Sequence, residues 1–267
     1  MSERIKKKFE TKEKKLVTFT TGGDPDLNTS LEILKTIINN GIDIIEIGMP
    51  FSDPMADGPT IQESSVRSLA NGTKINDIFE IVIKIRKLNS EIPIILMGYY
   101  NSIFNLGIDN FTAKCAETGV DGLIIVDLQP EEDSELFSKS QERGIDLIRL
   151  ITPTTDKKRL FTILSNASGF LYYVTVTGIT GQNSANIEDL NKSINEIKSS
   201  TKLPIVAGFG IKNRNDVEQI STFTDGVVVG SSIVNIIKDN LNDKDKMINE
   251  IKVFTKDLKE GIKKWIG

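Results

Sequence analysis

The stretch IDIIEIGMPFSDPMADGPTIQ, from Ile42 to Gln62, combines a predicted strand, a turn and the start of a predicted helix. Its first half is a run of β-branched residues, which is typical of a buried strand. Proline and glycine crowd the second half, and Pro59 suits the first turn of a helix. One carboxylate, Glu46, lies inside the apolar run, where a buried charge is costly. The stretch therefore predicts a βα unit with an unusual acid near the end of its strand.

Apolar, β-branched runs of this kind recur along the chain, and each predicts a strand. They lie at 16–23, 42–50, 92–100, 121–128, 145–152, 170–178, 203–210 and 225–232. Segments with helical period separate them, such as SLEILKTIINNG (30–41) and INDIFEIVIKIRKLN (75–89). This alternation indicates βαβ units and a parallel sheet. Eight strands in 267 residues favour a single (β/α)8 barrel domain over 1–267 rather than an open, doubly wound sheet.

Two further helices are predicted at the ends of the chain. The segment MSERIKKKFETKEKK (1–15) mixes basic and acidic residues and is predicted to be a solvated amphipathic helix. From Asp243 to Gly267, apolar residues recur at steps of three and four, which indicates a final helix packed on the barrel rather than a partner-binding zipper. These apolar residues are Met247, Ile251, Phe254, Leu258, Ile262 and Trp265.

The composition excludes several classes of chemistry. The chain has no histidine, which removes Ser-His and Cys-His nucleophile systems and imidazole metal sites. Acid–base chemistry must therefore depend on carboxylates, tyrosine or lysine. The one cysteine, Cys115, is interpreted as a small core residue, and the absence of an internal disulfide suits the reducing cytoplasm as a location. A formal charge of −4 gives no reason to expect nucleic acid or an anionic membrane as a partner.

The carboxyl ends of barrel strands are where catalytic residues collect, and Glu46 is near one of them. Ile42, Ile44 and Glu46 share parity, so an inward-facing set would end in a carboxylate at the barrel mouth. The alternative is a strand-end glutamate in an ion pair. Asp57 follows in a turn, and Asp53 precedes it in the same loop. A turn-forming role is the alternative for both aspartates, and for Asp53 we accept it.

Glycine precedes a helix at the end of two neighbouring predicted strands, in AGFGIKNRND (207–216) and VVVGSSIVNII (227–237). The N–H groups of Gly210, Gly230 and Ser231 are expected to converge on a phosphate, because barrel phosphate sites lie after strands seven and eight. Relief of crowding is the alternative role for these glycines. The segment TGITGQNSAN (177–186) predicts either a lid that brings Gly181 to the same phosphate or an ordinary flexible loop.

The run EIGMPFSDPMADGP, from Glu46 to Pro59, resembles the signature of the tryptophan synthase α subunit family. The likeness continues through TFTTGGDP (18–25), MGYYN (97–101), TGITG (177–181), AGFGI (207–211) and GSSIV (230–234), and so covers essentially the whole chain. It implies cleavage of indole-3-glycerol phosphate to indole and glyceraldehyde 3-phosphate. This retro-aldol reaction needs neither a metal nor an organic cofactor.

The resemblance also implies roles for individual residues. Glu46 would act as both acid and base, with a pKa raised by the apolar barrel mouth, and an ionised Asp57 would stabilise positive charge at the ring nitrogen. Tyr172 would help to position Glu46. The indole ring would lie among Phe19, Met97, Tyr99, Ile124, Val126, Thr180 and Phe209. The phosphate would be held by Gly181, Gly210, Gly230 and Ser231. Most of the apolar residues in the ring pocket could equally be plain core.

The family works with a β subunit that carries pyridoxal phosphate, so the resemblance implies a complex of two α and two β chains with that cofactor in the partner. The candidate contact surface is Met49–Asp53 with Tyr100 and Asn101, which combines apolar and polar groups at the barrel mouth. Ordinary loop packing is the alternative. Other functions stay open. One is another indole-pathway or sugar-phosphate barrel enzyme, against which Glu46 and Asp57 argue. The others are a catalytically silent subunit that only activates a β partner, against which the presence of both carboxylates argues, and a lyase that works alone.

Overall fold

Parallel strands form the centre of the molecule. The computed structural model describes residues 2–174, 184–208 and 210–263. Within these residues the strands are β1 (Lys15–Thr21), β2 (Ile44–Gly48), β3 (Ile94–Gly98), β4 (Gly122–Ile125), β5 (Asp146–Leu147), β6 (Arg149–Ile151), β7 (Leu171–Val174), β8 (Ile205–Gly208) and β9 (Gly226–Val229). They form one sheet in the order β5-β4-β3-β2-β1-β9-β8-β7-β6, and every neighbouring pair is parallel.

The two edges of this sheet, β5 and β6, are halves of one predicted strand that is interrupted at Ile148. The first half pairs with β4 and the second half with β7. The N–H of Ile148 donates to the Leu123 carbonyl at 2.9 Å, so the interruption is itself bonded to the wall. The chain therefore joins the two edges, and the predicted (β/α)8 barrel is confirmed with its fifth strand in two pieces.

Helices surround the barrel because each strand is followed by a segment with one apolar face. In the described residues they are α1 (Glu3–Glu10), α2 (Leu27–Asn39), α3 (Pro59–Ala70), α4 (Ile75–Leu88), α5 (Tyr100–Leu106), α6 (Ile108–Thr118), α7 (Ser134–Glu142), α8 (Lys157–Ser165), α9 (Ser184–Lys198), α10 (Arg214–Ser221), α11 (Ser231–Asp239) and α12 (Lys244–Lys263), with a 3₁₀ turn at Pro130–Glu132. None of the helices in this part of the chain has the length and apolar character needed to cross a membrane.

The apolar residues form two cores, one inside the barrel and one between the barrel and the helices. The inner core contains Ile5, Val17, Ile44, Ile95, Ile124, Ile148, Phe170, Val206 and Val228. Alternation along β2 places Ile44 in this inner core and Ile45 and Ile47 in the outer one. Ile42 also belongs to the outer core, so its predicted inward orientation is wrong. It precedes β2, which begins at Ile44, and the strand parity does not extend to it.

The predicted terminal helices are both present. In α1 the predicted amphipathic helix is present, but its apolar face is buried rather than solvated: Ile5 lies in the inner core and the Phe9 ring lies 5.7 Å from that of Phe170. Ser2 fixes the start of the segment by donating its hydroxyl to Asp121 at 2.6 Å. One face of α1 thus closes the amino-terminal end of the barrel.

The carboxyl-terminal helix, α12, packs against α2 and α10, as its pattern predicts. Most of the apolar stripe is buried: Met247, Ile251, Leu258 and Ile262. Phe254 is partly buried against the outer core, and Trp265 lies outside the described residues.

Candidate active site

Glu46 lies in the wall of the barrel, on β2, between Phe19 of β1 and Ile95 of β3. Its exposed fraction is 0%, and neither carboxyl oxygen has a hydrogen-bond partner among the described residues. Because burial disfavours the charged form, the pKa of Glu46 is raised to about 8. At neutral pH the side chain is therefore a carboxylic acid that still carries its proton.

A cavity of about 400 Å³ opens at the carboxyl ends of the strands. Its lining residues include many of the predicted site: Phe19, Asp57, Met97, Val126, Tyr172, Gly210, Gly230 and Ser231. The other lining residues are Ala56, Gly58, Ile61, Leu150, Val174, Gly208 and Val228. Glu46 does not line the cavity, since it is fully buried.

Asp57 stands at the rim of this cavity, in the loop between β2 and α3. Its N–H donates to the Pro54 carbonyl at 3.0 Å, and α3 begins at Pro59. The side chain is half-buried, and the Tyr99 hydroxyl donates to its Oδ2 at 3.1 Å. Burial raises the pKa of Asp57, and the hydrogen bond from Tyr99 opposes that shift. Asp57 thus differs from Glu46 in having a donor that favours its charged form.

Tyr172 reaches the cavity from β7, on the far side of the barrel from Asp57. Burial raises its pKa well above the usual value, and the charges of Glu46 and Asp57 raise it further. Its ring lies against Gly208 of β8, where an added Cβ would be 2.6 Å from the Tyr172 hydroxyl oxygen. Sequence reasoning missed Gly208, although a glycine inside a strand is a signal of close approach by another group.

The residues predicted to surround the indole ring fall into three groups. Phe19, Met97 and Val126 line the cavity. Ile124 is fully buried in the inner core beneath it, and Tyr99 lines a small adjoining cavity with Phe19, Asp57 and Met97. The remaining two, Thr180 and Phe209, lie outside the described residues.

The residues predicted to bind phosphate come together on one side of the same cavity. Gly210 has a φ of +60°, a conformation that favours glycine, and Gly230 immediately precedes α11, whose first residue is Ser231. The first N–H groups of a helix lack intrahelical partners and attract anions. No lysine or arginine lines the cavity in the described part of the chain. Gly181 is outside the described residues.

A closed parallel barrel, with a cavity at the carboxyl ends of its strands that is lined by Asp57 and a helix amino terminus and has the buried Glu46 on a neighbouring wall strand, defines an enzyme of the (β/α)8 class. Residues 5–263 match the model of the family described as tryptophan synthase alpha chain. The match spans nearly the whole sequence, so the chain belongs to this family.

Solved structures agree with the family assignment. The tryptophan synthase α subunit of Legionella pneumophila is 34% identical, with 99% of each chain covered and a TM-score of 0.91. A protein from Aquifex aeolicus VF5 is 38% identical, with 98% of this chain and 99% of the other covered and a TM-score of 0.88. Tryptophan synthase from Mycobacterium tuberculosis is 27% identical, with coverage of 97% and 99% and a TM-score of 0.87.

Family membership establishes the activity predicted from the sequence. The chain is a carbon–carbon lyase of tryptophan biosynthesis, and the family reaction is the cleavage of indole-3-glycerol phosphate to indole and glyceraldehyde 3-phosphate. The α chain family is not itself a pyridoxal phosphate enzyme, and it implies a β-subunit partner.

Proposed function

We propose that Glu46 performs both proton transfers of this cleavage and that Asp57 stabilises the charge that develops between them. The observation that carries the proposal is the state of Glu46: fully buried, without a partner among the described residues, and with a pKa of about 8. A group that is protonated at neutral pH but titrates close to it can both give and take a proton.

The order of the two transfers follows from that protonation state. Glu46 first gives its proton to the ring carbon that bears the glycerol chain. The resulting carboxylate then takes the proton of the neighbouring chain hydroxyl as the carbon–carbon bond breaks, which leaves indole, the aldehyde and a reprotonated Glu46. Because Glu46 is buried and does not line the cavity, its side chain must turn toward the cavity to reach the substrate.

Asp57 acts on the other side of the ring system. Protonation of the ring carbon places positive charge on the ring nitrogen, and an ionised carboxylate that accepts the ring N–H would stabilise that charge. The hydrogen bond from Tyr99 favours the ionised form of Asp57. The two carboxyl groups thus divide the work because their surroundings differ.

The remaining contacts place the substrate. Phe19, Met97 and Val126 would contact the ring, together with Thr180 and Phe209, and Ile124 would support them from below. Tyr172 would limit the positions open to Glu46. The N–H groups of Gly210, Gly230 and Ser231, with Gly181, would bind the phosphate without a cationic side chain. Proton transfer and charge stabilisation are both available from these side chains, so neither a metal nor an organic cofactor is required.

The partner surface that we propose lies beside this site. Phe51 and Tyr100 of the predicted contact surface have two exposed apolar neighbours along the chain, Met55 at 84% and Phe104 at 66% exposure. Large exposed apolar side chains of this kind often mark interfaces. We propose that a pyridoxal phosphate-bearing β subunit covers them, in a cytoplasmic complex of two α and two β chains, and that residues 1–267 form one domain.

The test is indole release from indole-3-glycerol phosphate by the Glu46→Gln variant. Glutamine keeps the size of the side chain but cannot exchange a proton, and general acid–base catalysis typically contributes about 10²- to 10⁴-fold. We expect a loss at or beyond the upper figure, with substrate still bound. The matched control is Glu80→Gln, a change of the same chemistry at an exposed position on α4, which should leave the rate unchanged. Cleavage by folded Glu46→Gln within tenfold of the parent would refute the proposal.

A further inference from the structure

Tyr99 makes two hydrogen bonds and one ring contact with the loop that carries Asp57. It follows β3 directly, its exposed fraction is 3%, and it lines a small cavity that adjoins the main one and shares Asp57 and Met97 with it. Its hydroxyl donates to Asp57 Oδ2 at 3.1 Å and accepts the N–H of Ala56 at 3.0 Å. Its ring stacks on Phe51 with the centroids 5.0 Å apart and the planes 20° from parallel. All three contacts are made to one loop, between Phe51 and Asp57.

The two hydrogen bonds fix where the hydroxyl proton lies. A phenol has one proton to donate, and here the Ala56 N–H occupies an acceptor position on the oxygen. The proton is therefore directed toward Asp57. Burial raises the pKa of Tyr99, and the nearby charges of Asp57 and Asp127 raise it further, so the hydroxyl stays protonated through the working range of an enzyme.

We propose that Tyr99 is a positioning residue for this reaction: it anchors the β2–α3 loop to β3 and directs one hydrogen bond at Asp57, which holds that carboxylate in place and favours its charged form. The inference rests on the proposed role of Asp57. It assigns the Tyr99 hydroxyl an action through Asp57, beyond the ring contact that the sequence predicts for this residue.

Of the titratable groups near Asp57, only Tyr99 favours the charged form of this carboxylate, among the described residues. Tyr172 faces it from β7, Glu46 lies near Tyr172 on β2, and Asp127 follows β4 near Tyr99. Two of these three are acids, and a negative charge on any of them would disfavour a charged Asp57. Among the described residues, the one side chain that lowers the pKa of Asp57 is Tyr99.

Removal of the Tyr99 hydroxyl should change the pH dependence of the reaction in one direction. Without the Tyr99 hydrogen bond the pKa of Asp57 rises, so Asp57 becomes protonated at a higher pH than in the parent. The rate requires an ionised Asp57, so the acidic limb of the kcat/KM profile should move to higher pH. A loss of packing alone would lower the rate at every pH and leave that limb in place.

The experiment is the Tyr99→Phe variant, which keeps the ring stacked on Phe51 and removes only the oxygen. A hydrogen bond to a charged group corresponds to about 10- to 100-fold in rate, so we expect kcat to fall by about that factor while KM changes little. The control is Tyr173→Phe, which removes a tyrosine hydroxyl that is equally buried but lies in the outer core. Tyr173→Phe should change neither kcat nor the acidic limb.

Asp57→Asn, alone and combined with Tyr99→Phe, distinguishes the role of Tyr99 from the role of Asp57. If Tyr99 acts through Asp57, Tyr99→Phe should cost little more once Asp57→Asn is present, within about threefold. An unchanged kcat and acidic limb in folded Tyr99→Phe, with Asp57→Asn strongly impaired, would overturn the role of Tyr99 alone. A full additional loss in the double variant would overturn it too. Near-parental activity of Asp57→Asn would instead refute the role of Asp57 itself.

Discussion

Burial raises the pKa of both carboxyl groups of this site, and in the described part of the chain only Asp57 has a neighbouring donor that opposes the shift. Glu46 is surrounded by apolar barrel residues and has no donor among the described residues, so the neutral acid is favoured. Asp57 is half-buried and accepts one hydrogen bond, which opposes the rise in its pKa that burial causes. Strand parity and the apolar run were enough to predict an inward Glu46. The partner of Asp57 was not predictable, because Tyr99 meets it only when the loop folds back over β3.

The close approach of Tyr172 to Gly208 gives a prediction at the same scale. In Gly208→Ala the new Cβ would lie 2.6 Å from the hydroxyl oxygen and 2.7 Å from Cε1 of Tyr172, which is too close, so the ring must move into the cavity. We expect cleavage to slow by up to about 100-fold, since misplacement near 1 Å can have that effect. The measurement is kcat, with thermal unfolding to show that the variant is folded.

Gly122→Ala is the matched control for this change. Gly122 lies on β4, and a Cβ there would be 2.9 Å from the flexible Cδ1 atoms of Ile95 and Ile148 in the inner core. Overpacking of this kind costs about 1–3 kcal/mol of stability. Gly122→Ala should therefore lower the melting temperature with a smaller effect on kcat. If Gly208→Ala retained the parental kcat, Tyr172 would have no positioning role.

Among the elements, those with a strong local pattern were predictable and those defined by distant neighbours were not. The βα units and α12 carry their period in consecutive residues. The break in the fifth strand depends on the stagger between β4 and β7, which are separate in sequence. One face of α1 is buried against inner-core residues that come from several strands. The sequence of 1–15 alone gives no sign of these distant residues. Local sequence thus specified the type of each element, and long-range packing specified its surroundings.

At the scale of the whole molecule, the proposed partner surface exposes large apolar side chains at the barrel mouth. Phe104 lies on α5, just after β3, and is 66% exposed. We expect Phe104→Asp to weaken binding of a β subunit by at least about tenfold, because a charge would replace an apolar anchor. Cleavage by the isolated chain should be unchanged. Titration calorimetry with a β subunit measures the first quantity, and indole release measures the second.

Leu88→Asp is the control for Phe104→Asp. Leu88 ends α4 at the opposite end of the barrel and is 60% exposed, so it presents a similar apolar side chain away from the proposed surface. Its replacement should leave the affinity for the β subunit as it is. Equal affinities for the parent and the Phe104→Asp variant would place the interface elsewhere.

The protonation state of Glu46 is the central claim, and infrared difference spectroscopy measures it directly. The carbonyl band of a protonated carboxylic acid is distinct from that of a carboxylate, and subtraction of the Glu46→Gln spectrum isolates the Glu46 signal. Burial of Glu46 predicts an acid band that persists at neutral pH and disappears with a midpoint near the pKa of about 8. A midpoint close to the ordinary glutamate value of about 4.3 would contradict it, because Glu46 would then have no proton to give at neutral pH.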